Sequence, residues 1–240
     1  MNGKGIIYSS HILLYFDSDV LGIKIMEVIK FEFLKLLKKS RGWLGPILVF
    51  VLIMIAYPLT VEVSDIELSQ SFFSILWIAA LLVIMLATED IFLEDFNDGT
   101  LEQYAISQNN LSFIIGCKVF VYWLVIGVPI SIVGGIFCIG TTNQSALGYQ
   151  ILPVLLVSTY IFMNVFSFGN ALSLTKGSVL GTLVTLPLLL PLLIILGKVV
   201  IAINFDLNYS GFLFLLLGIL SIIIIVIPMI ISYIIRAHLE

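Results

Sequence analysis

Residues 211–235 read GFLFLLLGILSIIIIVIPMIISYII, a run without a charged side chain. A helix that crosses a bilayer needs about 20 mainly apolar residues, and this run supplies them. A membrane barrel strand would alternate apolar and polar positions, whereas here every face is apolar. In hydrocarbon each backbone amide must be satisfied within its own segment, so the run predicts a membrane-spanning helix. Five further stretches meet the same condition, at about 44–61, 72–88, 111–140, 151–174 and 179–203. Composition agrees: 60% of the 240 residues are hydrophobic, 11% are charged, and the mean hydropathy is +1.19. A water-facing shell needs more polar residues than that. The expected fold is an all-α membrane protein with six transmembrane helices, in one domain over residues 26–240. Pro129 predicts a bend in the third span. Pro187 and Pro191 predict a kink or break in the fifth, whose continuation through Lys198 to Tyr209 is a candidate for re-entry into the membrane.

Lys and Arg set the expected orientation. Lys24, Lys30, Lys35, Lys38, Lys39 and Arg41 precede the first span, Lys176 follows the fourth and Arg236 the sixth. Loop 62–70 carries three acids and no Lys or Arg, and loop 141–150 carries no charge. Both termini and the loops after spans two and four are therefore expected in the cytoplasm. Lys198 falls on the far side. It is singled out as an ionisable residue in an apolar stretch, and snorkelling to the outer interface is the favoured reading.

Residues 24–41 are expected to form an amphipathic interfacial helix. Ile25, Ile29, Phe33 and Leu36 share one face, with Lys24, Glu27, Lys35, Lys38 and Lys39 opposite. The apolar face would sit in the headgroup boundary of the lipid bilayer, and Gly42, Gly45 and Pro46 would break the chain before the first span. Residues 1–25 read as an N-terminal extension. They make a poor signal peptide, and Met26 stands as an alternative start to Met1.

Loop 89–110 departs from the rest. It reads EDIFLEDFNDGTLEQYAISQNN and holds six of the fifteen acids with no Lys or Arg. Asn97-Asp98-Gly99 is a turn signal. Thr100 followed by Gln103 fits a capping box, so a short helix is expected over 101–107. Leu101, Tyr104 and Ala105 would share its less polar face, with Glu102 opposite. Such a loop suits docking of a soluble partner with a basic groove; a solvated turn is the alternative.

The motif EDFNDGTLEQ at 94–103, with ILWIAALL at 75–82 and LPLLLPLLIILG at 186–197, resembles the haem exporter protein B family (CcmB), membrane permeases of the cytochrome c maturation ABC complex. The likeness extends over most of residues 26–240, and the acidic DGTLEQ segment is its most specific part. After Gln103 the chain reads YAISQN where the family has a leucine-rich run ending in Ser-Pro, so Asn109 and Asn110 depart from the pattern. The resemblance implies a six-helix exporter permease of the bacterial inner membrane, or alternatively the mitochondrial one. It implies a coupling helix at 101–107 and, as ATPase-docking residues, Glu94, Asp95, Asp98, Gly99, Thr100, Leu101, Glu102 and Gln103. The implied partners are an ABC ATPase subunit, other cytochrome c maturation membrane subunits and a haem chaperone. Haem is the handled ligand, with no cofactor bound stably by this chain.

The chain has no G-x-x-x-x-G-K-[ST] loop, so ATP-driven work requires a partner that has one. No basic patch favours nucleic acid. His11 and His238 lie outside the expected spans, Cys117 and Cys138 lack metal spacing, and Met54, Met85, Met163 and Met229 read as core fillers rather than haem ligands. No nucleophile and base can be paired, so a non-catalytic subunit is expected. Gly177–Gly181 permits a close helix crossing. Asn143 and Asn208 begin glycosylation sequons that read as accidental. Two mechanisms suit the chain: a path for haem between spans, or release of a haem-loaded chaperone. The lack of an obvious polar lining leans toward release. An ABC permease for a lipid, polysaccharide or drug is the alternative function.

Overall fold

All six expected spans form helices long and apolar enough to cross a membrane. The structure, a computed structural model, describes residues 18–60, 65–106, 110–142, 145–175, 178–205 and 207–239. Residues 1–17 of the expected extension, Ser107, the Asn143–Gln144 part of one sequon, Lys176 and Gly177 lie outside the described residues. The helices are α1 (Ser18–Lys38), α2 (Ser40–Thr60), α3 (Asp65–Thr88), α4 (Leu93–Asn97), α5 (Thr100–Ile106), α6 (Leu111–Tyr122), α7 (Val128–Thr142), α8 (Ser145–Leu172), α9 (Ser178–Asn204) and α10 (Ser210–Leu239). A π turn, Trp123–Gly127, joins α6 to α7. No strand occurs among the described residues.

Helix α8 is the hub. It packs against α3, α6, α7, α9 and α10, and its Ile151, Val154, Leu155, Phe162, Met163 and Phe166 are buried. It also buries Ser158, Thr159, Asn164, Ser167 and Asn170, a polar seam that the sequence reading did not register. Ser158 donates to the Leu155 carbonyl (3.1 Å) and Asn164 to that of Tyr160 (2.9 Å) in the same helix. Asn170 reaches across to the Thr88 carbonyl of α3 (2.7 Å), and the buried Ser167 hydroxyl has no hydrogen-bond partner among the described residues. On the outside, α10 exposes Phe214, Ile222, Ile225, Met229 and Tyr233. Such a face is unfavourable in water and suited to hydrocarbon.

The third span leaves the α-helical ladder in the π turn, which ends two residues before Pro129. Proline has no N–H for the carbonyl one turn back, and a wide turn accommodates the gap. Gly127 permits it: a Cβ there would stand 2.4 Å from Cδ1 of Trp123. The Trp123 indole donates to Thr159 Oγ1 at 3.1 Å.

The fifth span corrects the expectation of a break. Helix α9 runs through Pro187 and Pro191 without interruption, because in a packed membrane bundle local adjustment re-satisfies the freed carbonyls. Nor does its continuation form a re-entrant segment. After Asn204 the chain turns, and Asn208 caps α10 by accepting from the Ser210 amide (3.0 Å) and hydroxyl (2.6 Å). That sequon asparagine is a helix cap. Lys198 is exposed, near the end of α9.

The N-terminal helix also differs from expectation. It begins at Ser18 and ends at Lys38, ahead of Gly42 and Pro46, and the Lys39 amide turns back to the Leu36 carbonyl at 3.1 Å. Helix α2 then starts afresh at Ser40. The face assigned to lipid headgroups packs on protein instead: Leu36 is buried, and Ile29 and Phe33 lie against the core. The reason is α6, which α1 packs along; periodicity identifies an apolar face but not what covers it. The outward side carries Met26, Phe31 and Leu34 with Lys30 and Lys38.

Candidate functional site

Over its described residues 89–106, loop 89–110 folds back on the bundle rather than projecting from it. Ile91 and Phe92 are buried at its start. Helix α4 follows, then the turn at Asp98-Gly99, where Gly99 has φ +76°, a conformation that favours glycine. Helix α5 is then launched by Asp98, whose Oδ1 accepts the Thr100 amide at 3.0 Å. The side chain that receives the first-turn amide is thus Asp98, where a Thr100–Gln103 box was expected. The Thr100 hydroxyl and amide together hold the Asp98 carboxyl below its ordinary pKa. The expected face of α5 forms: Leu101 is buried at 3% exposure, Tyr104 and Ala105 pack on the core, and Glu102, Gln103 and Ile106 face outward. Asn110, a departure from the family pattern, caps α6 by accepting the Ser112 amide at 3.2 Å.

Beneath the loop lies a cluster of charges. Lys118, on α6, is buried with Glu32 of α1 and Asp95 of α4. Its ammonium donates to Asp95 Oδ2 and, at 3.3 Å, to Glu32 Oε2. Lys35 of α1 donates to the other Asp95 oxygen, Oδ1, and stands 4.0 Å from Asp98. Two lysines and two carboxylates thus cancel. Burying an ion costs several kcal/mol unless it is paired, and here each has a partner. Burial disfavours the Lys35 charge, but the bonded Asp95 carboxylate outweighs it and holds the Lys35 pKa above the usual value. Tyr104 is pushed up by burial and by the Glu32 and Asp95 carboxylates. The cluster therefore ties α1, α4 and α6 together under α5.

The acids of the motif divide by direction. Asp95, 1% exposed, points into the cluster and presents nothing outward. Glu94, Asp98 and Glu102 are exposed, with Glu94 paired to Lys39 at 3.2 Å on the surface. Gly99 and Thr100 are half-buried. A surface groove of about 440 Å³ is lined by Lys39, Asp90, Leu93, Glu94, Asn97 and Asp98. Lys118 and Glu32 are the residues that sequence reasoning missed. The signal was present for Lys118, a charge inside the third expected span, yet Lys198 drew the attention. Its distance from Glu32 along the chain hides the pairing.

Comparison with known proteins places this arrangement. The model of the family described as "CcmB protein" matches residues 23–238. Heme exporter protein B of Haemophilus influenzae is 31% identical over 188 residues, covering 78% of this chain and 85% of that protein. The Pseudomonas aeruginosa protein of the same name is 30% identical, covering 67% and 73%. That of Rhodobacter capsulatus is 32% identical, covering 67% and 75%. The match runs from α1 into the last turn of α10, taking in the charge cluster and all six spans, and the chain therefore belongs to the CcmB protein family.

Proposed function

We propose that this chain is the permease subunit of an ABC complex that exports haem for c-type cytochrome assembly, with ATP hydrolysed by a separate subunit. The observation that carries the proposal is the α4–α5 loop. Leu101 roots it in the bundle while Glu94, Asp98, Glu102, Gln103 and Ile106 face outward. An acidic rim around the exposed apolar Leu93 and Ile106 suits a basic groove on a soluble partner. Gly99 and Thr100 shape the turn, and Asp95 and Leu101 anchor it from behind. The name of the relatives, heme exporter protein B, supports haem as the cargo. The Lys and Arg bias supports an inner-membrane protein with the loop and both termini in the cytoplasm. The other cytochrome c maturation subunits and a haem chaperone complete the proposed complex.

Reconstitution of the complex in vesicles tests the reading. ATP-dependent haem movement across the bilayer, lost without the ATPase subunit, is the expected result; a complex that moves a lipid or polysaccharide and no haem would refute it. A second mechanism uses the same loop: hydrolysis remodels the complex and releases a haem-loaded chaperone. It is favoured by Ser158 and Asn164 of α8, which bond carbonyls of their own helix, and by Asn170, which bonds the Thr88 carbonyl of α3, rather than lining a path. ATP-dependent chaperone release without haem movement would select it.

A further inference from the structure

The charge cluster has a mechanical consequence beyond stability. Helix α4 is five residues long, and its buried residue is Asp95. Phe96 beside it is half-buried against the core and Phe92 just before the helix is buried, but the buried ionic hold of α4 on α1 and α6 runs through this one carboxylate, both of whose oxygens are engaged. One oxygen meets α1 through Lys35 and the other meets α6 through Lys118. A buried ion pair is seldom more stabilising than an apolar contact of the same volume, but it is directional. Helix α4 cannot shift without drawing the Lys118 ammonium with it or breaking the pair. Lys118 lies five positions before the π turn Trp123–Gly127, where the third span already leaves the α-helical ladder. Such turns yield more readily than a continuous helix.

Resting on the reading of the loop as an ATPase-docking surface, we propose that the Asp95–Lys118 pair is the positioning link that carries displacement of the loop into the third span. The pair touches neither cargo nor nucleotide. It acts by making α4 and α6 move as one body, with Lys35 and Glu32 completing the charge balance from α1.

The test compares Lys118→Met, Asp95→Asn and a double variant, Lys118→Met with Glu32→Gln, in the full chain, expressed with its ATPase subunit in cells that assemble c-type cytochromes. The double variant breaks the Asp95–Lys118 pair and leaves Asp95 with Lys35. Each single variant leaves an odd buried charge and should reduce the amount of folded complex. The double variant removes one charge of each sign, so its melting temperature and co-purified ATPase should return toward wild type. Holocytochrome c should nevertheless fall about ten-fold in the double variant while ATP hydrolysis by the complex stays within about two-fold. Lys118→Arg, which keeps a charged donor for Asp95, should retain most holocytochrome formation. A double variant that recovers stability and holocytochrome together would overturn the link and leave the cluster a structural filler. Should the double variant not accumulate, amide exchange in the wild-type complex decides. Nucleotide binding should then alter exchange in both 93–97 and 115–123, and a change confined to the loop would overturn the link. If no ATPase accompanies the wild-type chain, the docking reading falls first and the link falls with it.

Discussion

Two junctions in this molecule hold by opposite means. Where α8 crosses α9, Gly169 meets Gly181 backbone to backbone: a Cβ at Gly181 would stand 2.2 Å from the Gly169 carbonyl oxygen. No charge takes part, and dispersion between close surfaces holds the crossing, as in other membrane bundles. Where α1, α4 and α6 meet, four charged side chains take part. The glycine crossing depends on shape alone and has one arrangement. The ionic junction depends on direction, and its members sit on a short helix, an outer helix and a span. The contrast separates a fixed frame, α8 with α9, from a coupled part beneath the loop.

The comparison can be broken first at its charged side. Lys118→Met leaves Glu32 and Asp95 buried with a single lysine between them, and should destabilise the folded chain by about 3–5 kcal/mol. Thermal unfolding in mild detergent reads this directly. Next is the glycine crossing. Gly181→Val forces a side chain into the Gly169 carbonyl and should cost about 1–3 kcal/mol by the same measurement. Third is the surface pair. Glu94→Gln should change stability by less than about 1 kcal/mol yet weaken ATPase association, because Glu94 faces outward. The smallest effect belongs to Lys198→Met. It should alter stability by no more than about 0.5 kcal/mol, which separates an exposed lysine on a span from the buried Lys118.

The loop's own charges also set a pH window. Asp98 has its pKa lowered, so the cap it provides is present above the ordinary 3.8 and is lost only as pH falls through the lowered value. Lys35 has its pKa raised, so its pairing is intact below the ordinary 10.5 and is lost as pH rises through the raised value. The contributions of these two groups to the melting temperature should therefore be flat between those limits. A step near neutral pH traced to either group would contradict the pairing.

The spans were legible because each is a long apolar run, and hydrocarbon leaves few alternatives to a helix. The loop turn was legible as well: Asp98-Gly99 needs a left-handed residue, and Gly99 supplies it. The same holds for the buried face of α5, since Leu101, Tyr104 and Ala105 recur at helical spacing. Contacts between distant residues were not legible. Glu32 and Lys118 are 86 positions apart, and nothing local to either names the other. For the same reason the apolar face of α1 read as lipid-facing when α6 covers it. Pro187 and Pro191 read as a kink or break because proline weakens an isolated helix, whereas α9 continues through both, with the prolines facing outward and its inner face packed on α8. Asn110 and Asn208 read as a family departure and an accidental sequon; both are caps, a role fixed by the residues two positions later.

The most direct test of the loop as a two-faced element is a photo-reactive amino acid in place of Glu102 in native membranes. Glu102 is exposed on α5, opposite the buried Leu101. The expected result is a covalent adduct with a separate ATP-hydrolysing subunit, lost when the same group replaces the buried Asp95. Adducts with lipid or with a second copy of this chain alone would contradict the docking reading.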